Sequence, residues 1–157
     1  MKFAHFSHVW NKPGMNAAQR YDQLWRELAH AHDSGFDFGF CVEHHFNPNE
    51  SWMPSPSIYC AAAAARTRRL RIGTMGNVVP LYDPLRIVED AAVLDNMANG
   101  RFELGLVSGI VPDFFGPYRA DFQNRRTLTH EALLFIKQAL SSDAAFSFTG
   151  ALRQYEN

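Results

Sequence analysis

The stretch FDFGFCVEHH, residues 36–45, decides the fold that the sequence predicts. Residues 36–43 are rich in aromatic and apolar side chains and read as a strand, which the pair His44-His45 follows directly. In β/α folds the loops that follow strands carry the chemistry, whereas the loops that precede strands serve stability. The histidine pair is therefore predicted to lie at the carboxyl end of a sheet, where a site can form.

Strands and helices alternate along the rest of the chain. Apolar spacing predicts strands over 2–9, 36–43, 70–79 and 101–107, and helices over 16–33, 55–66, 83–98 and 123–140. Asn16 is a suitable cap for the first helix, Ser55 or Ser57 for the second, and Asp83 for the third. The order β-α-β-α-β-α-β-α implies a parallel sheet with right-handed crossovers. The sequence thus predicts an α/β fold and the leading part of a β/α barrel.

Composition is typical of an ordinary soluble protein with one domain, residues 1–157. The formal net charge of −1 leaves no electrostatic footprint for nucleic acid or for an anionic membrane. The longest apolar run, 58–65, is too short to cross a bilayer, and the start of the chain lacks the pattern of a signal peptide. Cys41 and Cys60 are predicted to be buried, reduced thiols, so we expect a cytoplasmic protein with no membrane or nucleic-acid partner.

Chain length limits how much of a barrel these elements can form. A closed (β/α)8 barrel usually needs about 250 residues, and four β/α units make half of one. The 157 residues are then a fragment, a complete small open-sheet protein, or a chain that closes by association. These three interpretations stay open at the level of the sequence.

The histidine pair itself allows a small set of functions. Adjacent strand residues point to opposite faces, so His44 and His45 cannot easily share a metal ion, and no metal site is predicted. One of them can face the site as an acid, a base or a hydrogen-bond donor, because imidazole titrates near neutrality. Neither Gly-x-Gly-x-x-Gly nor Gly-Lys-Ser/Thr occurs, which argues against a nicotinamide dinucleotide bound in the Rossmann manner and against a P-loop.

A set of short motifs between residues 2 and about 140 resembles the bacterial luciferase-like, flavin-dependent monooxygenases. No single motif is decisive, but their order and spacing together are highly specific. They are Glu43-His44-His45-Phe46, Ile72-Gly73-Thr74 through Pro80, Asp83-Pro84-Leu85-Arg86, Glu89-Asp90, Leu94-Asp95-Asn96-Met97 and Gly100-Arg101-Phe102-Glu103-Leu104-Gly105.

The resemblance implies a (β/α)8 TIM barrel, of which this chain holds about the first four units as a partial barrel. It also implies that reduced FMN reacts with O2 to form a C4a-hydroperoxide, which oxidises a small organic substrate such as an aldehyde or a ketone. A separate NAD(P)H-dependent flavin reductase supplies the reduced flavin. The first helices of the family commonly form dimer interfaces, so a homodimer or heterodimer is expected.

Five residues take roles from the resemblance. His44 matches the catalytic histidine, which exchanges a proton near the flavin C4a position. Met75-Gly76 matches a cis bond that supports the isoalloxazine ring. Arg126 matches an arginine that binds the FMN phosphate, with Arg125 as its neighbour. Ser108 stands where the family has another phosphate-binding arginine, and it is kept as a candidate cofactor contact.

Two alternatives to an FMN-dependent monooxygenase remain at this level. One is a deazaflavin (F420)-dependent oxidoreductase of the same fold. The other is a non-catalytic flavin-binding or dimerisation module. The later β/α units of the family supply most of the remaining phosphate contacts, so the chain alone is not expected to hold FMN tightly.

Overall fold

The computed structural model describes residues 1–157, and its elements follow the predicted alternation. The strands are β1 (Ala4–Ser7), β2 (Phe38–Cys41), β3 (Arg71–Thr74), β4 (Asn77–Val78), β5 (Phe102–Glu103), β6 (Leu106–Val107), β7 (Phe148–Thr149) and β8 (Gln154–Tyr155). The α-helices are α1 (Ala17–Asp33), α2 (Pro56–Arg66), α3 (Pro84–Met97) and α4 (Arg125–Ser141), and 3-10 turns cover Val79–Leu81 and Pro112–Phe114. None of these helices combines the length and the apolar character that crossing a membrane requires.

The main sheet has the strand order β1-β2-β3-β5, and every neighbouring pair in it is parallel. Ser7 pairs with Cys41, and Cys41 pairs with Thr74, so the last residues of three strands lie side by side. The predicted parallel sheet is confirmed. Because parallel strands end at the same edge, the segments that follow Ser7, Cys41 and Thr74 start from one line.

Two of the predicted strands are each divided in the structure. The segment predicted over 70–79 forms β3 and then β4, and the segment predicted over 101–107 forms β5 and then β6, with β4 and β6 paired in a second, two-stranded sheet. Pro80 has no N–H to give to a ladder, so the chain turns at Val79–Leu81 rather than extending further. Gly105 approaches the carbonyl group of Thr74 so closely that a Cβ there would collide with it.

The residues at the N-cap positions determine where the helices begin. The Asn16 side chain accepts from the Gln19 backbone N–H and the Gln19 side chain accepts from the Asn16 N–H, both at 3.0 Å, so the predicted start of α1 is confirmed as a capping box. Asp83 accepts from the Leu85 N–H at 2.8 Å at the start of α3. Of the two predicted caps of α2, Ser55 and not Ser57 occupies the N-cap position, but its side chain makes no capping hydrogen bond, and Pro56 begins the helix with its fixed φ.

The chain divides into two compact units, of which the first comprises Met1–Asn77 and Val93–Leu106. Its core lies between the sheet and the helices that cover it. The buried side chains are Val9, Leu24, Leu28, Cys41, Val42, Met53, Tyr59, Cys60, Ala63, Leu70, Ile72 and Leu94. Cys41 and Cys60 are free buried thiols, as predicted, and burial raises the pKa of Cys41.

The second unit comprises Val78–Ala92 and Val107–Asn157. The tail after α4, which has little sequence pattern, forms an antiparallel hairpin of β7 and β8. The Tyr155 ring of this hairpin stacks on Phe135 of α4 at 4.3 Å. Leu133 and Leu140 of α4 are about half exposed, because Glu131, Ala132, Phe135 and Ile136 form the buried face.

Gly73 is a position where the fold excludes any side chain. A Cβ there would lie 2.7 Å from the Glu103 Cβ and 2.8 Å from the Phe40 ring. We expect Gly73→Ala to lower the free energy of unfolding by about 1–3 kcal/mol, since β3 and β5 must separate to admit the methyl group. Urea unfolding followed by circular dichroism measures this change. Gly116→Ala is the matched control, because no atom lies within 4 Å of a Cβ there; equal stability of the two variants would contradict the packing argument.

Candidate functional site

The segment after β2 places its polar side chains alternately inside and outside. The side chains of Glu43 and His45 are 0% and 2% exposed, whereas that of His44 is 18% exposed. The alternation that the sequence predicts for the two histidines is therefore confirmed. Only His44 of the pair is open to a ligand at this edge.

Glu43 and His45 form a buried polar pair beneath the surface. The Nε2 atom of His45 lies 2.7 Å from Oε1 of Glu43, which is a short hydrogen bond. The two groups satisfy each other where water cannot reach them, so the pair has the character of a structural contact.

His44 lies among three groups of the first unit. Its backbone N–H donates to the Met53 carbonyl oxygen at 2.9 Å. Its Nδ1 lies 3.2 Å from Oε1 of Glu50, an ion-pairing distance. The ring of His8 is tilted against the His44 ring at 5.1 Å and stacks on Trp10 at 4.5 Å. Burial, and then the neighbouring His44, lower the pKa of His8.

Sequence reasoning missed His8 and Glu50. Their side chains and that of His44 bring one ligand atom each to within 4.8 Å of one another, a spacing at which a metal ion could bind. The absence of a metal site stays a prediction. His8 is the residue after β1, and the parallel register places it beside the end of β2. The sequence feature that could have identified His8 is therefore its place at the end of the strand that pairs with β2.

Met75 and Gly76 follow β3 at the same edge of the sheet. The peptide bond between them is cis, as the resemblance implied. The Met75 N–H donates to the Cys41 carbonyl oxygen at 2.7 Å, and the Met75 side chain is 57% exposed. A Cβ on Gly76 would lie 2.7 Å from the carbonyl group of Gly105, so only glycine fits. The backbone of this segment is thus fixed while the Met75 side chain stays accessible.

Large apolar side chains stand exposed after each of the first three strands. Trp10 follows β1, Phe46 follows β2 and Met75 follows β3, and they are 49%, 62% and 57% exposed. Soluble proteins tend to expose neighbouring apolar groups where a ligand or a partner binds. This exposed group lies at the edge that also carries His44.

Ser108 and Arg126 belong to the second unit. Ser108 is half-buried directly after β6. Arg126 is exposed in the first turn of α4, whereas the Arg125 guanidinium lies 4.0 Å from the Phe122 ring and donates to the Phe122 carbonyl oxygen. Of the two adjacent arginines, Arg126 is the one that an anion at this helix end can reach.

Comparison with known proteins gives a concordant set of matches. The family model for luciferase-like monooxygenases matches residues 1–157. The alkanal monooxygenase alpha chain of Aliivibrio fischeri is 31% identical over 144 residues, which cover 90% of this chain and 40% of that relative. The chain therefore spans less than half the length of this relative.

Solved structures agree with this match. Monooxygenase RslO1 from Streptomyces bottropensis superimposes with a TM-score of 0.89 at 28% identity, over 99% of this chain and 47% of that one. The oxygenating constituent of 3,6-diketocamphane monooxygenase from Pseudomonas putida, in complex with FMN, gives 0.87 at 22% identity, over 99% and 43%. An F420-dependent secondary alcohol dehydrogenase in complex with an F420-acetone adduct gives 0.78 at 18% identity, over 98% and 46%, and shows the same fold.

The buried pair of Glu43 and His45 generates a stability prediction. Glu43→Ala leaves the His45 ring buried without this partner, so we expect the free energy of unfolding to fall by about 3 kcal/mol. The double variant Glu43→Leu/His45→Leu should lose less, because it removes both members of this hydrogen bond together and fills their places with apolar side chains. Urea unfolding measures both variants.

Glu89→Gln is the control for removing one acid, because Glu89 forms an exposed pair with Arg86. A Glu43→Ala variant as stable as Glu89→Gln would show that the buried pair has no structural role.

Proposed function

The chain belongs to the luciferase-like monooxygenase family, and from this we propose that it is part of an enzyme that uses reduced FMN and O2 to oxidise a small organic substrate such as an aldehyde or a ketone. The family membership confirms the predicted fold class, an α/β fold with about the first four units of a TIM barrel. The observation that carries the proposal is the position of His44, half-buried at the carboxyl end of β2 beside exposed apolar side chains.

The residues of the first unit fit the ring system of a flavin. An isoalloxazine ring is planar and largely apolar on its faces, and Trp10, Phe46 and Met75 offer exposed apolar surface after the three strands that end at the edge carrying His44. Met75 and Gly76 would support the ring. Gly76, which has no room for a side chain, keeps that segment of backbone close to β5–β6.

The residues of the second unit fit a phosphate group. Arg126 presents an exposed guanidinium in the first turn of α4, where helix N–H groups favour an anion. We assign Arg126 and Ser108 to the FMN phosphate. Ser108 contributes a hydroxyl and no charge, so Arg126 provides the electrostatic part of this contact.

The chemistry divides between the cofactor and the protein. Reduced FMN, when bound, supplies the electrons that activate O2, so that one oxygen atom enters the substrate and the other leaves as water. His44 would deliver and accept the proton at the reacting end of the ring. A separate flavin reductase would supply the reduced FMN, and a dimer of this family type would be the working form.

A direct assay tests the enzyme. The chain is mixed with photoreduced FMN, ¹⁸O-labelled O2 and a long-chain aldehyde, and flavin binding and labelled carboxylic acid are measured together. We expect His44→Ala to lower product formation by about 10²-fold or more, because general acid–base catalysis contributes that much, with little change in FMN affinity.

His30→Ala is the matched control, because His30 is an exposed histidine of α1. Flavin binding without labelled product would reject the proposed enzymatic activity and favour a non-catalytic flavin-binding module. Reduction of F420 in place of FMN would reassign the cofactor, and the absence of binding to either flavin even at millimolar concentration would reject the proposal for this chain.

A further inference from the structure

Three side chains that can bind a metal ion converge at the edge of the sheet that carries His44. His8 directly follows β1, His44 comes after β2, and Glu50 belongs to the loop that leads to α2. Their ligand atoms all lie within 4.8 Å of one another, and Nδ1 of His44 is 3.2 Å from Oε1 of Glu50. Two ligands of a tetrahedral ion are about 3.4 Å apart, so this pair already has the required spacing, and a rotation that moves His8 by about 1 Å would complete the set.

The backbone brings the three ligands together without using their side chains. The Ser51 hydroxyl donates to the His8 carbonyl oxygen and accepts from the Met53 N–H at 3.1 Å. The His44 N–H donates to the Met53 carbonyl oxygen at 2.9 Å. The loop that carries Glu50 is therefore tied both to the end of β1 and to the segment after β2. Because these contacts form within the protein alone, the arrangement is present before any ion binds.

Two of the ligands have neighbours that orient them. Oε2 of Glu50 accepts from the Asn47 side-chain amide at 3.3 Å, which leaves Oε1 directed toward the histidines. The His8 ring stacks on Trp10 at 4.5 Å, and its buried Nδ1 atom has no hydrogen-bond partner within the protein. Carboxylates and imidazoles that bind metal ions are commonly oriented by outer contacts of this kind. A buried nitrogen without a protein partner points to a ligand that it can bind.

We propose that His8, His44 and Glu50 form a binding site for a divalent transition-metal ion such as Zn²⁺. Two imidazoles and one carboxylate suit such an ion, whereas Mg²⁺ and Ca²⁺ prefer oxygen ligands throughout. Three protein ligands leave a coordination position open, as in zinc sites that bind a further molecule. The sequence predicted no metal site because His44 and His45 point apart. The proposed site takes its second histidine from the end of the neighbouring strand instead.

The proposed site includes the residue to which the proposed function gives the proton transfer. An imidazole that binds a metal ion through one nitrogen carries its hydrogen on the other, so it has no lone pair left to accept a proton. Zn²⁺ should therefore inhibit oxygenation. This consequence rests on the proposed function, whereas the site itself does not.

The binding test needs neither flavin nor substrate. Zn²⁺ binding to the chain without a histidine tag is measured by calorimetry in excess Mg²⁺, and Co²⁺ then replaces Zn²⁺ because its visible spectrum reports the coordination geometry. We expect one ion per chain. His8→Ala and Glu50→Gln should each weaken binding by about 100-fold or more, because each removes a ligand. Asn47→Ala should weaken it by about 10-fold, since outer contacts of metal ligands contribute about 10–100-fold.

His30→Ala and Glu89→Gln are the matched controls, because each removes an exposed group of the same kind outside the cluster. No saturable binding below millimolar Zn²⁺, or equal affinities of His8→Ala and His30→Ala, would overturn the proposal. If circular dichroism shows that His8→Ala does not fold, His8→Phe replaces it and is read in the same way. Phenylalanine keeps a planar ring to stack on Trp10 but has no ligand atom.

The oxygenation assay separates the site from the proposed function. We expect Zn²⁺ to lower product formation by about 10²-fold, the contribution of a general acid–base group, and a chelator to restore it. His8→Ala, measured against its own activity without Zn²⁺, should be inhibited far less. Zn²⁺ that binds as expected but leaves product formation unchanged would count against the catalytic role of His44 and not against the site. Inactivity of the metal-free chain with the expected binding would count against the proposed function alone.

Discussion

The parallel register of β1, β2 and β3 brings the site residues together. Ser7, Cys41 and Thr74 lie in one line across the sheet, so the segments that leave the sheet begin at the same height. His8 follows the first of these residues and Met75 the third, and His44 comes three positions after the second. A shift of one residue in any pairing would turn these side chains to the opposite face. Glycine at position 73 is part of this constraint, because a side chain there would force β3 and β5 apart.

Burial then separates two histidines that are adjacent in the sequence. His45 points inward, where Glu43 satisfies it, and the pair ties the end of β2 into the core. His44 points toward the open edge, where Glu50 from a hydrogen-bonded loop faces it. The two acids thus have different functions although each contacts a histidine. One meets the polar requirement of a buried ring, and the other lies at an ion-pairing distance from a ring that a ligand can reach.

The second unit carries two adjacent arginines whose surroundings differ. Arg126 stands exposed at the first turn of α4, while Arg125 is held by the Phe122 ring and carbonyl oxygen. The chain covers 40% of the Aliivibrio fischeri relative and 43% of the FMN-bound Pseudomonas putida structure.

The sequence by itself determined the alternation of strands and helices, the caps at Asn16 and Asp83, and the opposite directions of His44 and His45, because local spacing and alternation encode all of these. The resemblance, and not the spacing, singled out His44. It did not identify Glu50 or His8. Glu50 lies in a polar, proline-bearing loop without periodicity, and His8 is 36 positions before His44 in the chain. Only the tertiary structure decided these neighbours, because strand pairing and the hydrogen bonds of Ser51 and Trp52 bring distant segments into contact. The tertiary structure also decided which face of α4 is buried. Leu133 and Leu140 are apolar but about half exposed, whereas Phe135 and Ile136 face the core.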